Sequence, residues 1–125
     1  MSTKPAKIAL WAAKGVAGAA FLAAGLAKLA GVSMMVATFD AIGIGQWFRY
    51  ATGLIEVASA VLLFVPGLQA IGAGLLVCTM IGAVLAHLLI LGPSALPALI
   101  LGLISAAILW AHRDQLPVAG GRRIA

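Results

Sequence analysis

Residues 68–91 have the sequence LQAIGAGLLVCTMIGAVLAHLLIL and contain no charged side chain. A helix needs about 20 apolar residues to cross the hydrocarbon core of a bilayer, so this stretch is long enough for one membrane span. It lies between the pairs Pro66-Gly67 and Gly92-Pro93, and such pairs are strong breaks in a helical pattern. The sequence therefore predicts a membrane helix with short connections at both ends.

The composition of the whole chain agrees with a membrane protein. The 125 residues are 64% hydrophobic and 9% charged, whereas a soluble domain is about 25% charged. So few charges cannot cover a water-facing surface, which excludes a soluble globular fold. An intrinsically disordered chain is also excluded, because disordered chains are poor in apolar residues. The length leaves room for about four spans. The one cysteine, Cys78, excludes an internal disulfide and a C-x-x-C motif.

The remaining apolar stretches complete the expected fold. Short connections favour adjacent, antiparallel helices. The segment 31–47 is longer, and Ser33 is a candidate N-cap for a short interfacial helix over about 33–41. The sequence predicts an all-α fold in one domain over 1–125, an integral membrane four-helix bundle of up-down-up-down topology. The expected segments are spans at about 8–30, 48–65, 68–91 and 95–111, and a loose cytoplasmic tail over 117–125.

Lysine and arginine residues near the chain ends predict the orientation. The net charge is +5, and cytoplasmic flanks of membrane spans are rich in these residues. Both termini are therefore expected in the cytoplasm of a multi-pass protein of the cell (inner) membrane, and the charge does not indicate nucleic-acid binding. The first span is too long for a signal peptide core and contains Lys14, so we expect it to be retained. His112 and Asp114 are expected to form a solvated flank.

Two stripes of small and polar residues predict which helix faces point inward. Glycines in such stripes allow close helix approach in membranes. Leu54 and Val61 lie on the opposite face of the second span, which suits lipid. The stripe on the first span consists of Lys14, Gly18, Phe21, Gly25 and Lys28. The stripe on the second span consists of Arg49, Thr52, Gly53, Glu56, Ser59 and Ala60.

Charged residues inside a span need a physical reason, because a charge at the bilayer centre costs about 2.5–3.5 kcal/mol on insertion scales. Glu56 lies well within the second span, and Arg49 precedes it by seven residues on the same helical face. Lys28 ends the first span and His87 lies near the end of the third. All four residues fall in the non-cytoplasmic half of the expected bundle, where Arg49 or His87 would be the partner of Glu56.

The sequence thus predicts a polar pocket in the outer half of the membrane, covered by the short helix. Each of these four residues also has a structural alternative. Lys28 can snorkel to headgroups, and Arg49 can be an interfacial anchor beside the aromatic residues that flank it. Glu56 can form a structural ion pair or stay a neutral, hydrogen-bonded acid, and His87 can bond a backbone carbonyl. No catalytic set and no metal site is predicted, since zinc usually takes four ligands. The expected pocket residues are Lys28, Gln46, Trp47, Arg49, Tyr50, Thr52, Glu56 and His87.

Three segments of the chain resemble a known family. They are AGLAKL at 24–29, GQWFRYATGLIE at 45–56 and GAVLAHL at 82–88. On these residues, and over nearly its whole length, the chain resembles the DoxX-like family of small four-helix membrane proteins. The family name comes from a subunit of an archaeal thiosulfate:quinone oxidoreductase, so the resemblance implies a membrane location and an association with redox complexes or quinones. Some relatives carry cysteine pairs, whereas this chain has only Cys78.

The leading hypothesis is an accessory membrane protein rather than an enzyme on its own. Its pocket would hold a quinone, a lipid or a small amphiphile, beside a membrane redox partner. The basic rim of Lys28 and Arg49 favours an anionic or quinone-like headgroup. One alternative is a proton-coupled exporter similar to the small multidrug resistance proteins, which share the length, the four spans and a membrane glutamate. Another is a non-catalytic assembly factor, and the narrow apolar core also suggests self-association.

Overall fold

A computed structural model describes residues 3–92 and 94–116, and within these residues the chain is helical and has no strand. The expectation of an all-α fold is confirmed. The tail over 117–125 lies outside the described residues. The α-helices are α1 (Lys4–Ala30), α2 (Ser33–Ile42), α3 (Gln46–Leu62), α4 (Gln69–Ala86) and α5 (Leu96–Ala111). A π-helical turn, His87–Leu91, continues α4, and a 3₁₀ turn, Arg113–Gln115, follows α5.

Local capping explains where α1 begins and ends. The Thr3 hydroxyl accepts a hydrogen bond from the Ala6 N–H at 3.2 Å, which satisfies one of the free donors of the first turn. Gly31 ends the helix in the left-handed conformation, with a φ of 72°, as is common at helix C-termini. The helix therefore begins at Lys4, before the apolar residues at which the first span was expected to start.

The prediction that Ser33 is the N-cap of the short helix is wrong. Ser33 is the first residue of α2, and the N-cap is Val32, which makes no side-chain capping bond. The short helix itself exists, over Ser33–Ile42. Gly43 then closes it with a φ of 85°, so the long connection between α1 and α3 holds one helical segment between two glycine-rich breaks.

Packing between the helices creates one apolar core. Helix α1 packs against α3 and contacts α5, while α4 packs against both α3 and α5. The large apolar side chains at the centre, Phe21, Leu63, Leu76 and Ile108, are fully buried. These four residues come from α1, the turn after α3, α4 and α5, and Ala60 of α3 is buried in the same cluster. Every long helix therefore contributes to the same core.

Both inward stripes occupy the expected positions. The buried residues of α1 are Lys14, Ala17, Gly18, Phe21 and Gly25. Those of α3 are Arg49, Gly53, Glu56, Ser59 and Ala60. Leu54 and Val61 are exposed on the other face of α3. The small and polar stripe of each helix therefore faces the interior, and large apolar side chains such as Leu54 face outward.

In the part of the chain that the structure describes, two helices are long and apolar enough to cross a membrane, namely Lys4–Ala30 and Gln69–Leu91. The surface is also unusually apolar, with Leu88 68% and Leu89 78% exposed. Water-soluble monomers rarely expose large contiguous apolar patches. These features support a membrane protein.

Candidate functional site

A buried ion pair joins α1 to α3. Lys28 Nζ lies 2.7 Å from Glu56 Oε1, and the two side chains are 14% and 2% exposed. Glu56 Oε1 has no other donor among the described residues. The partner of Glu56 is therefore Lys28, rather than Arg49 or His87 as expected.

Two glycines bring this pair together. A Cβ atom at Gly25 would lie 2.8 Å from the Gly53 carbonyl oxygen, and a Cβ at Gly53 would lie 2.9 Å from Lys28 Cβ. Real Cβ atoms do not come so close, so α1 and α3 touch through their backbones at this point. The short distance between the helix axes lets the Lys28 side chain reach Glu56, which lies one turn beyond Gly53.

Arg49 is occupied by contacts with α1 and with its own helix. Its Nε donates to Gln46 Oε1 at 2.7 Å, and its Nη1 donates to the Lys28 carbonyl. The guanidinium also lies 4.2 Å over the Tyr50 ring. The last carbonyls of a helix lack partners within the helix, so the Arg49 side chain caps the end of α1. The carbonyl that it caps belongs to Lys28, whose ammonium forms the ion pair with Glu56.

Helix α2 lies against the beginning of α3. Gln46 Nε2 donates to the Val36 carbonyl at 3.0 Å. Phe39 is 5% exposed and its ring meets Phe48 edge-on at 5.8 Å between centroids. Gln46 thus bonds both α2 and Arg49, and it connects the short helix to the cap of α1.

The other expected pocket residues are placed differently. Trp47 is 63% and Tyr50 is 50% exposed. The Thr52 hydroxyl donates to the Phe48 carbonyl within α3, and His87 Nδ1 donates to Ala83 O at 2.9 Å within its own helix. Hydrogen bonds and the ion pair therefore join four of the expected residues, here called the Lys28 cluster, and the Tyr50 ring contacts this cluster through Arg49. The Lys28 cluster consists of Lys28, Gln46, Arg49 and Glu56.

Ser59 adds a polar group to the interior next to the Lys28 cluster. Its side chain is fully buried, and its hydroxyl oxygen has no hydrogen-bond partner in the described part of the chain. Ser59 lies three residues after Glu56 on the same face of α3. The stripe pattern placed it inward, but nothing in the pattern indicates that its hydroxyl lacks a partner. Within residues 3–92 and 94–116, no group of three His, Cys, Asp or Glu side chains could hold a metal ion.

A second polar group lies at the junction of α1, α4 and the turn after α5, where the sequence pattern predicts none. This Lys14 cluster consists of Lys14, Gln69, His112 and Gln115. Lys14 Nζ lies 3.5 Å from His112 Nε2, and Gln115 Nε2 donates to Gln69 Oε1 at 2.7 Å. His112 was expected in a solvated flank, but it is half-buried.

The protonation of His112 follows from its surroundings. Burial lowers the pKa of the His112 ring below its usual value, the charge of Lys14 acts in the same direction, and Asp114 opposes it. The ring is therefore neutral at neutral pH. A neutral imidazole has one donor and one acceptor nitrogen, which restricts the hydrogen bonds it can form with Lys14 and Gln115.

Comparison with known proteins agrees with the resemblance. The family model of the DoxX-like family matches residues 12–112. The chain belongs to the DoxX-like family. No curated protein and no solved structure matches it. The matched range of this DoxX-like chain contains every residue of the Lys28 cluster and of the expected pocket. Family membership and the two long apolar helices together support a membrane protein.

Proposed function

We propose that this DoxX-like chain is a multi-pass inner-membrane protein with both termini in the cytoplasm. Its Lys28 cluster lies in the outer half of the membrane and binds the polar head of a quinone or a similar amphiphile. The protein acts as an accessory component beside a membrane redox partner, rather than as an enzyme on its own. The observation that carries this proposal is the Lys28 ammonium, which is held by a buried carboxylate yet is partly exposed.

The hydrogen-bonding capacity of Lys28 supports a ligand with acceptor oxygens. An ammonium group has three donors, and within the described residues the only partner of Lys28 Nζ is Glu56 Oε1. The remaining donors suit a carbonyl or phosphate oxygen. Glu56 is 2% exposed, so the ligand contacts the lysine, and the carboxylate fixes the position of the ammonium.

Apolar residues near the same helix ends supply the rest of an amphiphile site. Ile44 is 53% and Trp47 is 63% exposed, and both lie where α3 begins. Binding sites for small molecules combine apolar and aromatic side chains with a few polar groups that fix orientation. When the polar head of an amphiphile binds Lys28, its apolar part would lie against the apolar surface formed by Ile44 and Trp47.

The ion pair also favours binding over the exporter alternative. A cationic substrate of an exporter needs the membrane glutamate as its own counter-ion. Here Lys28 Nζ already lies 2.7 Å from Glu56, so a substrate cation would have to displace an internal one.

The fluorescence of Trp47 offers a direct test. Replacing Trp11 and Trp110 by Phe leaves Trp47 as the only tryptophan. The protein in lipid nanodiscs is titrated with a short-chain benzoquinone, which quenches indole fluorescence on contact. We expect saturable quenching, with an affinity about tenfold lower after the paired change Lys28→Met and Glu56→Gln, which corresponds to about 1.4 kcal/mol.

The paired change removes both charges and leaves no buried ion without a partner. The matched control is Lys7→Met, which removes an exposed lysine of the same helix and should leave the titration unchanged. Equal, saturable quenching in the paired variant would remove the Lys28 cluster from ligand binding and favour the assembly-factor alternative.

A further inference from the structure

The hydroxyl of Ser59 differs from those of the other hydroxyl residues inside the helices. Thr38, Thr52, Thr79 and Ser105 each donate to the carbonyl four residues earlier, at 2.8 Å, which is a common way for a helical hydroxyl to satisfy itself. Ser59 is fully buried, yet its hydroxyl makes no such bond and has no other partner among the described residues. Its donor is therefore free to bond a group outside its own helix.

A second buried polar atom with spare capacity lies on the same face of α3. Within the described residues, the only partner of Glu56 Oε1 is the Lys28 ammonium, at 2.7 Å. A carboxylate oxygen can accept two hydrogen bonds, so Oε1 can accept from one more donor. Ser59 follows Glu56 by three residues, and at this spacing the Cβ atoms of a helix are about 5–6 Å apart.

One water molecule fits between these two groups. Each O–H···O bond is about 2.7–2.8 Å long, so two such bonds through a water oxygen span about 5.5 Å. Water also supplies what each group lacks, because it can accept from the Ser59 hydroxyl and donate to Glu56 Oε1. Internal waters in proteins make two to four hydrogen bonds, typically to buried polar groups that have no other partner.

The surroundings of Ser59 favour an enclosed ligand over solvent. A Cβ atom at Gly72 would lie 2.8 Å from the Ser59 carbonyl oxygen, so α4 touches the backbone of α3 at this point. The next inward residues of this segment, Ala60 and Leu63, belong to the apolar core. Since a buried hydroxyl without a partner is costly, a small polar molecule held inside the protein accounts for Ser59 best.

We propose that Glu56 and Ser59 bind one internal water molecule, which accepts a hydrogen bond from the Ser59 hydroxyl and donates one to Glu56 Oε1. The carboxyl group of Glu56 is then held from two sides, by the Lys28 ammonium and by the water. Ser59 is a positioning residue for this ion pair. The polar region around Lys28 thereby extends one helical turn further along α3, as far as the apolar core.

Water-edited solid-state NMR of the full chain in lipid bilayers, with ¹³C-labelled serine, detects such a water directly. Ser59 and Ser105 are both fully buried, so Ser105, whose hydroxyl bonds the Leu101 carbonyl, is the matched control. The spectra of Ser59→Ala and Ser105→Ala identify the two signals. We expect magnetisation from water to reach Ser59 Cβ early and Ser105 Cβ only at long mixing times. Equal build-up at the two serines would overturn the proposal.

Two paired variants test Glu56 as the second partner of the water. Lys28→Met with Glu56→Gln removes both charges but keeps an acceptor oxygen, whereas Lys28→Met with Glu56→Leu removes the acceptor as well. We expect early transfer from water to Ser59 in the glutamine variant and its loss in the leucine variant. Early transfer in both variants would show that Glu56 does not hold the water and would overturn the proposal.

The direction of a stability change gives an independent test. Removing a buried hydroxyl that has no partner is neutral or stabilising, whereas removing one that bonds a water leaves the water and Glu56 Oε1 each without a bond. We expect Ser59→Ala to lower the midpoint of thermal unfolding by about 4 °C, and Ser105→Ala to lower it less, because the Leu101 carbonyl keeps its helical N–H donor. An unchanged or raised midpoint in Ser59→Ala would contradict a bound water. The spectrum of the unmodified protein decides the proposal even where a variant fails to fold.

Discussion

At the scale of single residues, the two inward lysines of α1 have opposite surroundings. Lys28 faces the carboxylate of Glu56, while Lys14 faces the imidazole of His112. Both side chains belong to the same stripe of α1, so the helical pattern does not distinguish them. Their surroundings differ because α3 supplies the partner of Lys28, whereas the turn after α5 supplies the partner of Lys14.

Breaking the Lys28–Glu56 pair should cost stability unequally on its two sides. Removing one partner of a buried pair costs about 3–5 kcal/mol when the other charge cannot escape. Glu56 is 2% and Lys28 14% exposed, so Lys28→Met should cost about 3 kcal/mol, and Glu56→Gln should cost less because the lysine can extend outward. Reversible unfolding in mixed micelles measures both values.

The double variant separates an ion pair from independent contributions. Changing both residues should destabilise the protein by less than the sum of the single changes. Asp40→Asn, at an exposed acid of α2, is the control and should change stability by less than about 0.5 kcal/mol. Strictly additive losses at the two positions would contradict a pair.

Stability should depend on pH through His112. Its pKa in the folded protein is lowered, with burial as the main cause, so the unfolded chain binds the proton more tightly. The stability that the neutral His112 ring contributes to the folded state is fully present above the unfolded pKa of about 6.5. It is lost as the pH falls through that value toward the folded pKa. Thermal unfolding between pH 8 and 5 should show the loss, and His112→Asn should reduce it. An unchanged pH profile in the variant would assign the dependence to other groups.

At the scale of helices, the crossing of α1 and α3 depends on close backbone approach. A Cβ at Gly25 would lie 2.7 Å from Val57 Cγ2 and 2.8 Å from the Gly53 oxygen. No side chain larger than glycine fits there without moving one helix. The position of this crossing also determines which residues of α3 Lys28 can reach.

Alanine substitutions at two glycines of α1 should therefore have opposite effects. Gly25→Ala should destabilise the protein by about 1–3 kcal/mol, the usual cost of overpacking. Gly15→Ala is the matched control, because nothing lies within 4 Å of its added Cβ, and alanine favours a helix by up to about 1 kcal/mol over glycine. Circular dichroism during thermal unfolding measures both, and equal effects at the two sites would contradict the close crossing.

The sequence predicts the helix faces well and the contacts between them poorly. Spacing along one helix places Arg49 and Glu56 on the same inward face, as expected. That spacing cannot show that Arg49 is turned toward the Lys28 carbonyl, because the cap depends on where α1 ends in space. Gln115 was missed for a similar reason, since its bond to the Ala70 N–H joins residues far apart in the sequence.

At the scale of the whole molecule, polar contacts connect the helices at two separate places. The Lys28 cluster joins α1, α2 and α3. The Lys14 cluster joins α1, the start of α4 and the turn after α5. Between them lies the apolar core around Phe21 and Leu76. The expected pocket corresponds to only one of the two polar regions.

The proposed orientation is testable by cysteine labelling. With Cys78→Ala as background, a cysteine at Ile44, which is 53% exposed in the connection before α3, should react with a membrane-impermeant thiol reagent in intact spheroplasts. A cysteine at Lys4 should react only after the cells are lysed. The reverse pattern would place the N-terminus outside, and labelling of both cysteines before lysis would contradict a first helix that crosses the membrane.

The unequal lengths of the helices have a consequence for the surrounding lipid. Helix α1 has 27 residues, or about 40 Å at 1.5 Å per residue. Helices α3 and α5 have 17 and 16 residues, or about 25 Å, which is less than the roughly 30 Å of a typical hydrocarbon core. In the proposed multi-pass arrangement, hydrophobic mismatch would thin the bilayer beside the two short helices and tilt the long one. Acyl-chain length would then control how easily water reaches the ammonium of Lys28.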